Sequence, residues 1–176
     1  MRRSSPTSAF ASPAALGLAA VAAALATASA AASCPADREV MLEKLNRVRA
    51  AGALCGARGS FPPAQALQWN ERLAGMAFAQ AQWLVSVDEL LHVGPRGETI
   101  GERAHQAGYR YARVGENLAQ GQPTLDAALR AWQVSEAHCA TLFAAPYTEA
   151  AIACLPARDG RPLWVMALGL PKRPAP

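Results

Sequence analysis

The strongest constraint on the fold lies near the end of the chain. There two apolar runs, Ala150-Ala151-Ile152-Ala153-Cys154-Leu155 and Leu163 to Leu168, flank Ala157-Arg158-Asp159-Gly160-Arg161. Asp-Gly marks a turn, and short apolar runs on either side of it predict a β-hairpin. Everything before it reads mainly as helix. Val40, Met41, Leu45 and Val48 recur on one side of a helix over residues 36–51, with Pro35 and Asp37 suited to its first turn and Gly52 to its end. Residues 53–68 are broken by Gly56, Gly59, Pro62 and Pro63. Asn70 then caps a helix over 71–86 whose stripe is Leu73, Met76, Ala77, Gln80, Ala81 and Leu84.

Thr99 and Glu102 form a capping box opening a short helix that ends at Gly108, and Thr124 caps another that carries Leu125, Ala128, Leu129 and Trp132 to about Val134. Between these two, Val114 to Ala119 reads as a strand edge entering a turn. Helices followed by a closing hairpin predict an α+β fold, with helices packed on a small antiparallel sheet.

Residues 1–33 are different in kind. Arg2 and Arg3 precede an uncharged run from Ala14 to Ala28 that ends in small residues. This is the pattern of a secretory signal peptide, and a run of about 15 residues is short for a membrane span of roughly 20. Export without a transmembrane anchor is therefore expected, to the periplasm or outside the cell. Ser4, Ser5 and Pro6 after the arginine pair give a twin-arginine signal little support. The rest divides into one domain over 34–170 and a Pro-rich tail over 171–176, expected to act as a monomer. Loss of the two arginines lowers the formal charge from +4 to +2, so the basic pI says little about partners.

All four cysteines, at 34, 55, 139 and 154, follow the leader. An even number in an exported chain predicts two disulfides, with three pairings open. Their spacings do not bring ligand pairs within a few residues, which argues against a zinc finger or ribbon. Ala32-Ser33-Cys34 also ends as a lipobox does, although Ala31 stands where such boxes carry Leu; a lipidated Cys34 would leave three thiols.

Five residues are candidates for chemistry. His105 lies within the short capped helix and reads as a surface position. His92 sits in a Gly/Pro-rich loop. His138 follows the predicted end of the Thr124 helix, where the dipole favours a cation, so a structural role competes with a functional one. Glu116, between Gly115 and Asn117, is placed where the backbone is expected to turn tightly, either as a site carboxylate or as a cap for local N–H groups. Glu149, ahead of an apolar strand, invites the same two readings. There is no His-Glu-x-x-His, no Gly-x-Ser-x-Gly and no glycine-rich phosphate loop. Basic residues do not interleave with aromatics, so nucleic acid is not an expected partner.

The ordered set of motifs resembles the CAP superfamily of cysteine-rich secretory, antigen 5 and pathogenesis-related proteins, in its bacterial SCP-domain branch. The set comprises Leu45-Asn46-x-x-Arg49, Leu67-x-Trp69-Asn70, His92, Ala107-Gly108-Tyr109, Gly115-Glu116-Asn117-Leu118-Ala119, Trp132, Ser135-x-x-His138, Tyr147-Thr148-Glu149 and Trp164. The resemblance implies a three-layer α-β-α sandwich and an open cleft lined by His92, Glu116, His138 and Glu149. Such a set could bind a divalent cation, zinc being favoured, or poise a water for acid-base work. It also implies disulfides Cys55 to Cys139 and Cys34 to Cys154.

The chain departs from the family pattern at Leu91-His92-Val93-Gly94 and at Ser135-Glu136-Ala137-His138, where Glu136 could compete for the cleft or for His138. It departs again at Met166, which makes the last strand more apolar. The expected function is binding of a small ligand, lipid, envelope component or divalent cation. The alternatives are a hydrolase using Glu116 as general base and a non-catalytic partner-binding module.

Overall fold

The structure is a computed structural model that describes residues 34, 35 and 37–173. The leader over 1–33 and the last three residues of the predicted tail lie outside the described residues. Helix α1 is Arg38–Arg49, and Asp37 is its N-cap, accepting from the backbone N–H groups of Glu39 and Val40. The broken stretch that follows contains a two-residue hairpin, β1 (Ala53–Leu54) against β2 (Ser60–Phe61), around a 3-10 turn at Gly56–Arg58. β3 is Gln68–Trp69 and α2 is Glu71–Val87, the latter capped by Asn70. The Thr99/Glu102 capping box forms with both arms and opens α3, Ile100–Gln106.

β4 spans Tyr111–Gln120, α4 spans Leu125–Val134, and β5 (Glu149–Pro156) and β6 (Pro162–Pro171) form the predicted hairpin. Between α4 and β5 lies a helix the periodicity did not reveal, α5, Glu136–Phe143. Only Ser135 separates it from α4, ending one helix and preceding the other without a side-chain capping bond.

The four strands order as β3-β5-β6-β4, antiparallel except that β3 adds in parallel to β5. Alternation along each strand sends neighbours to opposite faces. On one face Ala119, Ile152, Trp164, Met166 and Leu168 pack under α1, α4 and α5. On the other Leu118, Ala151, Ala153, Val165 and Ala167 pack under α2 and α3. The sheet is thus the middle layer of an α-β-α sandwich. β6 is covered on both faces, which is why it is apolar at almost every position and why Met166 is fully buried. Each such side chain contributes about 1.5–3 kcal/mol on burial.

The motif in α1 is structural. The Asn46 side chain both donates to Leu67 O at 3.0 Å and accepts from Leu67 N at 2.8 Å, holding the approach to β3. Arg49 is fully buried and donates to the carbonyls of Leu142 and Ala144, the C-terminal end of α5, where a cation meets the negative end of the helix dipole. Desolvation holds its pKa below the ordinary arginine value.

Two disulfides join Cys34 to Cys154 and Cys55 to Cys139, with Cα atoms 5.3 and 5.5 Å apart. The Cys34 sulfur is therefore engaged, as a lipidated N-terminus would not allow. Gly169 of β6 marks a different constraint, because a Cβ there would fall on the Tyr109 ring. Gly169→Ala is expected to cost about 1–3 kcal/mol as an overpacking change, read as a lower urea midpoint. An unchanged midpoint would show that Tyr109 moves freely.

Candidate functional site

Glu116 lies in the middle of β4, paired with Ala167 of β6, and not in a tight turn. Gly115 is required for space instead: a Cβ there would meet the Tyr147 hydroxyl. Glu116 does not cap local backbone either. Its side chain is 2% exposed, and its two oxygens have separate partners. Arg103 Nη1 of α3 donates to Oε1 at 2.9 Å, and His92 Nδ1 lies 2.9 Å from Oε2. Arg103 Nη2 also donates to His92 O at 3.1 Å, so one guanidinium fixes both the carboxylate and the loop that carries the histidine. The arginine side chain is 7% exposed and the histidine 59% exposed, which puts the ion pair inside and the imidazole at the surface.

Asn117 points to the opposite face and donates to His138 O at 2.9 Å. Adjacent residues of one strand thus reach both histidine-bearing segments, Glu116 the 92 loop and Asn117 the start of α5. This is what Gly-Glu-Asn accomplishes: a small residue under Tyr147, then one polar side chain to each face of an edge strand.

His138 occupies the first turn of α5, not a helix C-terminus, so the dipole acts on it with the opposite sign to that expected. Burial, and after it the charge of His92, holds its pKa below the ordinary histidine value. Cys139 beside it is tied to Cys55, and Glu136 accepts from Ala57 N at 3.0 Å. Glu136 is therefore turned to the 56–58 turn and does not contest the cleft or His138.

Glu149 is not part of this arrangement. It shares the sheet face of Glu116, but it pairs with Gly169 while Glu116 pairs with Ala167, and β6 runs between them. Two strand spacings and a two-residue offset put the two Cα atoms roughly 12 Å apart. Tyr109 fills the space over Gly169, and its hydroxyl donates to Glu149 Oε2 at 2.6 Å. Among the described residues no three His, Cys, Asp or Glu side chains form a group that could hold a metal ion. Of the four residues grouped by the resemblance, His92 and Glu116 meet at the β4 edge, the charge of His92 also acts on His138, and Glu149 lies in a separate place. His105 stands on the surface, its ring 5.0 Å from that of Tyr111.

Arg103, Asn117 and Tyr109 were not singled out from the sequence as site residues. Arg103 had a readable signal, since Ile100, Arg103, Ala104 and Ala107 form one helical stripe. A lone charge on an apolar stripe calls for a buried partner of opposite charge.

The profile of the cysteine-rich secretory protein family (CAP) matches residues 42–168. Comparison with curated proteins gives no match. Among solved structures, an extracellular SCP-domain protein of Bacillus anthracis is similar at 19% identity and TM-score 0.62, over 76% of this chain and 40% of that one. An outer surface protein of Borrelia burgdorferi is similar at 20% identity and TM-score 0.64, over 76% of this chain and 92% of that one. The protein NaASP2, solved with Zn2+, is similar at 14% identity and TM-score 0.53, over 80% and 88%. At such identities the likeness to these structures is one of fold, and the chain spans well under half of the Bacillus protein.

Proposed function

Because the chain belongs to the cysteine-rich secretory protein family, we propose that it is an exported domain whose edge cluster of His92, Glu116 and His138 binds a small ligand, lipid or divalent cation. Zinc is the favoured ion. The observation that carries this reading is the 2.9 Å contact between His92 Nδ1 and Glu116. A carboxylate that holds one ring nitrogen sets the tautomer and presents the other to a ligand. Glu116 is then an orienting residue, and the imidazoles of His92 and His138 would hold the ion with water completing its shell. Two histidines are fewer protein donors than the four of a closed zinc site or the three of an open one, so water would supply the larger part of the shell. A bound divalent ion supplies Lewis acidity to whatever it meets. Export is supported by the leader pattern, the two disulfides, and relatives described as extracellular or outer-surface proteins.

Zinc titration followed by calorimetry tests the assignment. The pair His92→Ala with His138→Ala should abolish binding, and Glu116→Gln should weaken it by about 10–100-fold, as loss of an orienting carboxylate does. Glu149→Gln should leave it unchanged. Binding in the double histidine variant equal to the parent's would sink the assignment.

A pH dependence follows from His138. Its folded pKa is depressed, so the unfolded state takes up the proton first as pH falls. Its contribution to stability is present above the ordinary histidine pKa and is lost as pH falls below it. The urea midpoint should therefore drop on acidification below about pH 6.5, and His138→Ala should reduce that drop. An identical pH profile in the variant would contradict this.

One observation favours a hydrolytic second reading in altered form. With both oxygens of Glu116 engaged, the exposed His92 is better placed than Glu116 to take a proton from water. Turnover of peptide, ester or glycan substrates abolished by His92→Ala would support it.

A further inference from the structure

Glu149, displaced from the histidine cluster, lines a polar cavity of about 670 Å3 near the start of α2 and the end of β6. Arg72, Arg110, Lys172 and Arg173 also line it. None of these four cations takes part in an ion pair among the described residues. Four unpaired cations held on one concave surface, from three separate elements of the chain, repel one another and gain by sharing an anion. Backbone pairing fixes their juxtaposition, because Lys172 N donates to Arg110 O at 2.9 Å.

The floor has a different chemistry. Tyr109 is buried, and burial together with Glu149 pushes its phenol well above the ordinary value, so it remains the donor in its bond to Glu149 Oε2. Oε1 takes no hydrogen bond among the described residues and is the acceptor left for a ligand.

We propose that this cavity binds a phosphate-bearing polyol or sugar, with the phosphate on the arginines and Lys172 and a neighbouring hydroxyl donating to Glu149. A bare dianion would use the cations but gain nothing from the carboxylate, which would repel it. A neutral polyol would find Glu149 and leave the cations unpaired. Only a ligand with both groups satisfies both halves, and the same chemistry occurs in soluble sugar phosphates and in glycerophospholipid headgroups. The site is independent of His92, Glu116 and His138.

Calorimetric titration of the full chain with glycerol 3-phosphate, inorganic phosphate and glycerol tests this. Glycerol 3-phosphate should bind more tightly than inorganic phosphate, and glycerol alone should not bind. Arg110→Gln with Lys172→Gln, both exposed positions, should weaken glycerol 3-phosphate by at least tenfold, the loss expected of charge-assisted hydrogen bonds. Glu149→Gln should erase the preference over inorganic phosphate. His92→Ala with His138→Ala should change neither affinity, which separates failure here from failure of the zinc assignment. Equal affinities for glycerol 3-phosphate and inorganic phosphate in the parent, or an unchanged affinity in the Arg110/Lys172 variant, would overturn the proposal. Cosedimentation with phosphatidylcholine vesicles only when phosphatidylglycerol is included, lost in that variant, would assign the ligand to a lipid headgroup. Binding of glycerol 3-phosphate without cosedimentation would assign it to a soluble phosphate ester.

Discussion

Replacing Cys55 and Cys139 together by alanine is expected to lower stability by about 3–5 kcal/mol, among the largest effects available in this domain. The two cysteines are 84 residues apart, but the unfolded chain is already closed by the Cys34–Cys154 bond. The path from Cys55 to Cys139 through that bond crosses only the 21 residues back to Cys34 and the 15 from Cys154. The entropic gain therefore falls between the roughly 3 kcal/mol of a 15-residue loop and the roughly 4.7 kcal/mol of a 100-residue one. The loss should appear in the urea midpoint with the other bond intact. Because Cys139 follows His138, zinc affinity should fall as well. A variant as stable as the parent would mean that Arg49, Asn117 and Glu136 alone suffice to anchor α5.

Arg103→Met is the second large effect. It leaves the Glu116 carboxylate buried with one histidine for company, and breaking a buried pair from one side costs about 3–5 kcal/mol. For a domain of this size that is a fall in Tm of roughly 10–20 °C. Adding Glu116→Leu should recover much of the deficit, since an apolar pair of similar volume is often as stable as the ion pair it replaces. A deficit in the single variant below about 1 kcal/mol would show that water reaches Glu116. The same variant frees the 92 loop, so its zinc binding should weaken even where the fold survives.

Both effects concern contacts whose partners no local pattern names: the stripe on α3 shows only that Arg103 needs a buried partner, and the pairing of Cys55 with Cys139 comes only with the family resemblance. The helices with an apolar stripe and a side-chain cap, α1 to α4, were legible to within a few residues, and so was the closing hairpin. In each case the period and the cap reside in neighbouring residues. α5 was not, because its inward residues Cys139, Leu142 and Phe143 span barely two turns and include a disulfide cysteine. β4 is legible only as a strand edge entering a turn, because glycine at 115 suggests backbone freedom, when its cause is the hydroxyl of Tyr147, 32 residues away.

The candidate site divides in the same way. Glu116 and the histidines stood out as residue types, and the family resemblance grouped them with Glu149. Grouping by motif order, however, does not register which strand lies between two residues. Glu149 and Glu116 share a sheet face, yet the intervening β6 and the Tyr109 ring over Gly169 keep them apart.

From the order of its residues alone this protein is settled as an α+β domain with capped helices, a closing hairpin and four cysteines placed for an oxidising compartment. Those properties follow from periodicities and chemistry within a few residues of one another. The tertiary structure decided which charges meet. Arg103 answers Glu116 and not Glu149, Asn117 holds the segment of His138, and Glu149 faces four cations contributed by three separate elements. Pairings of that kind depend on strand order and on which face of the sheet each side chain takes, and both are properties of the packed layers.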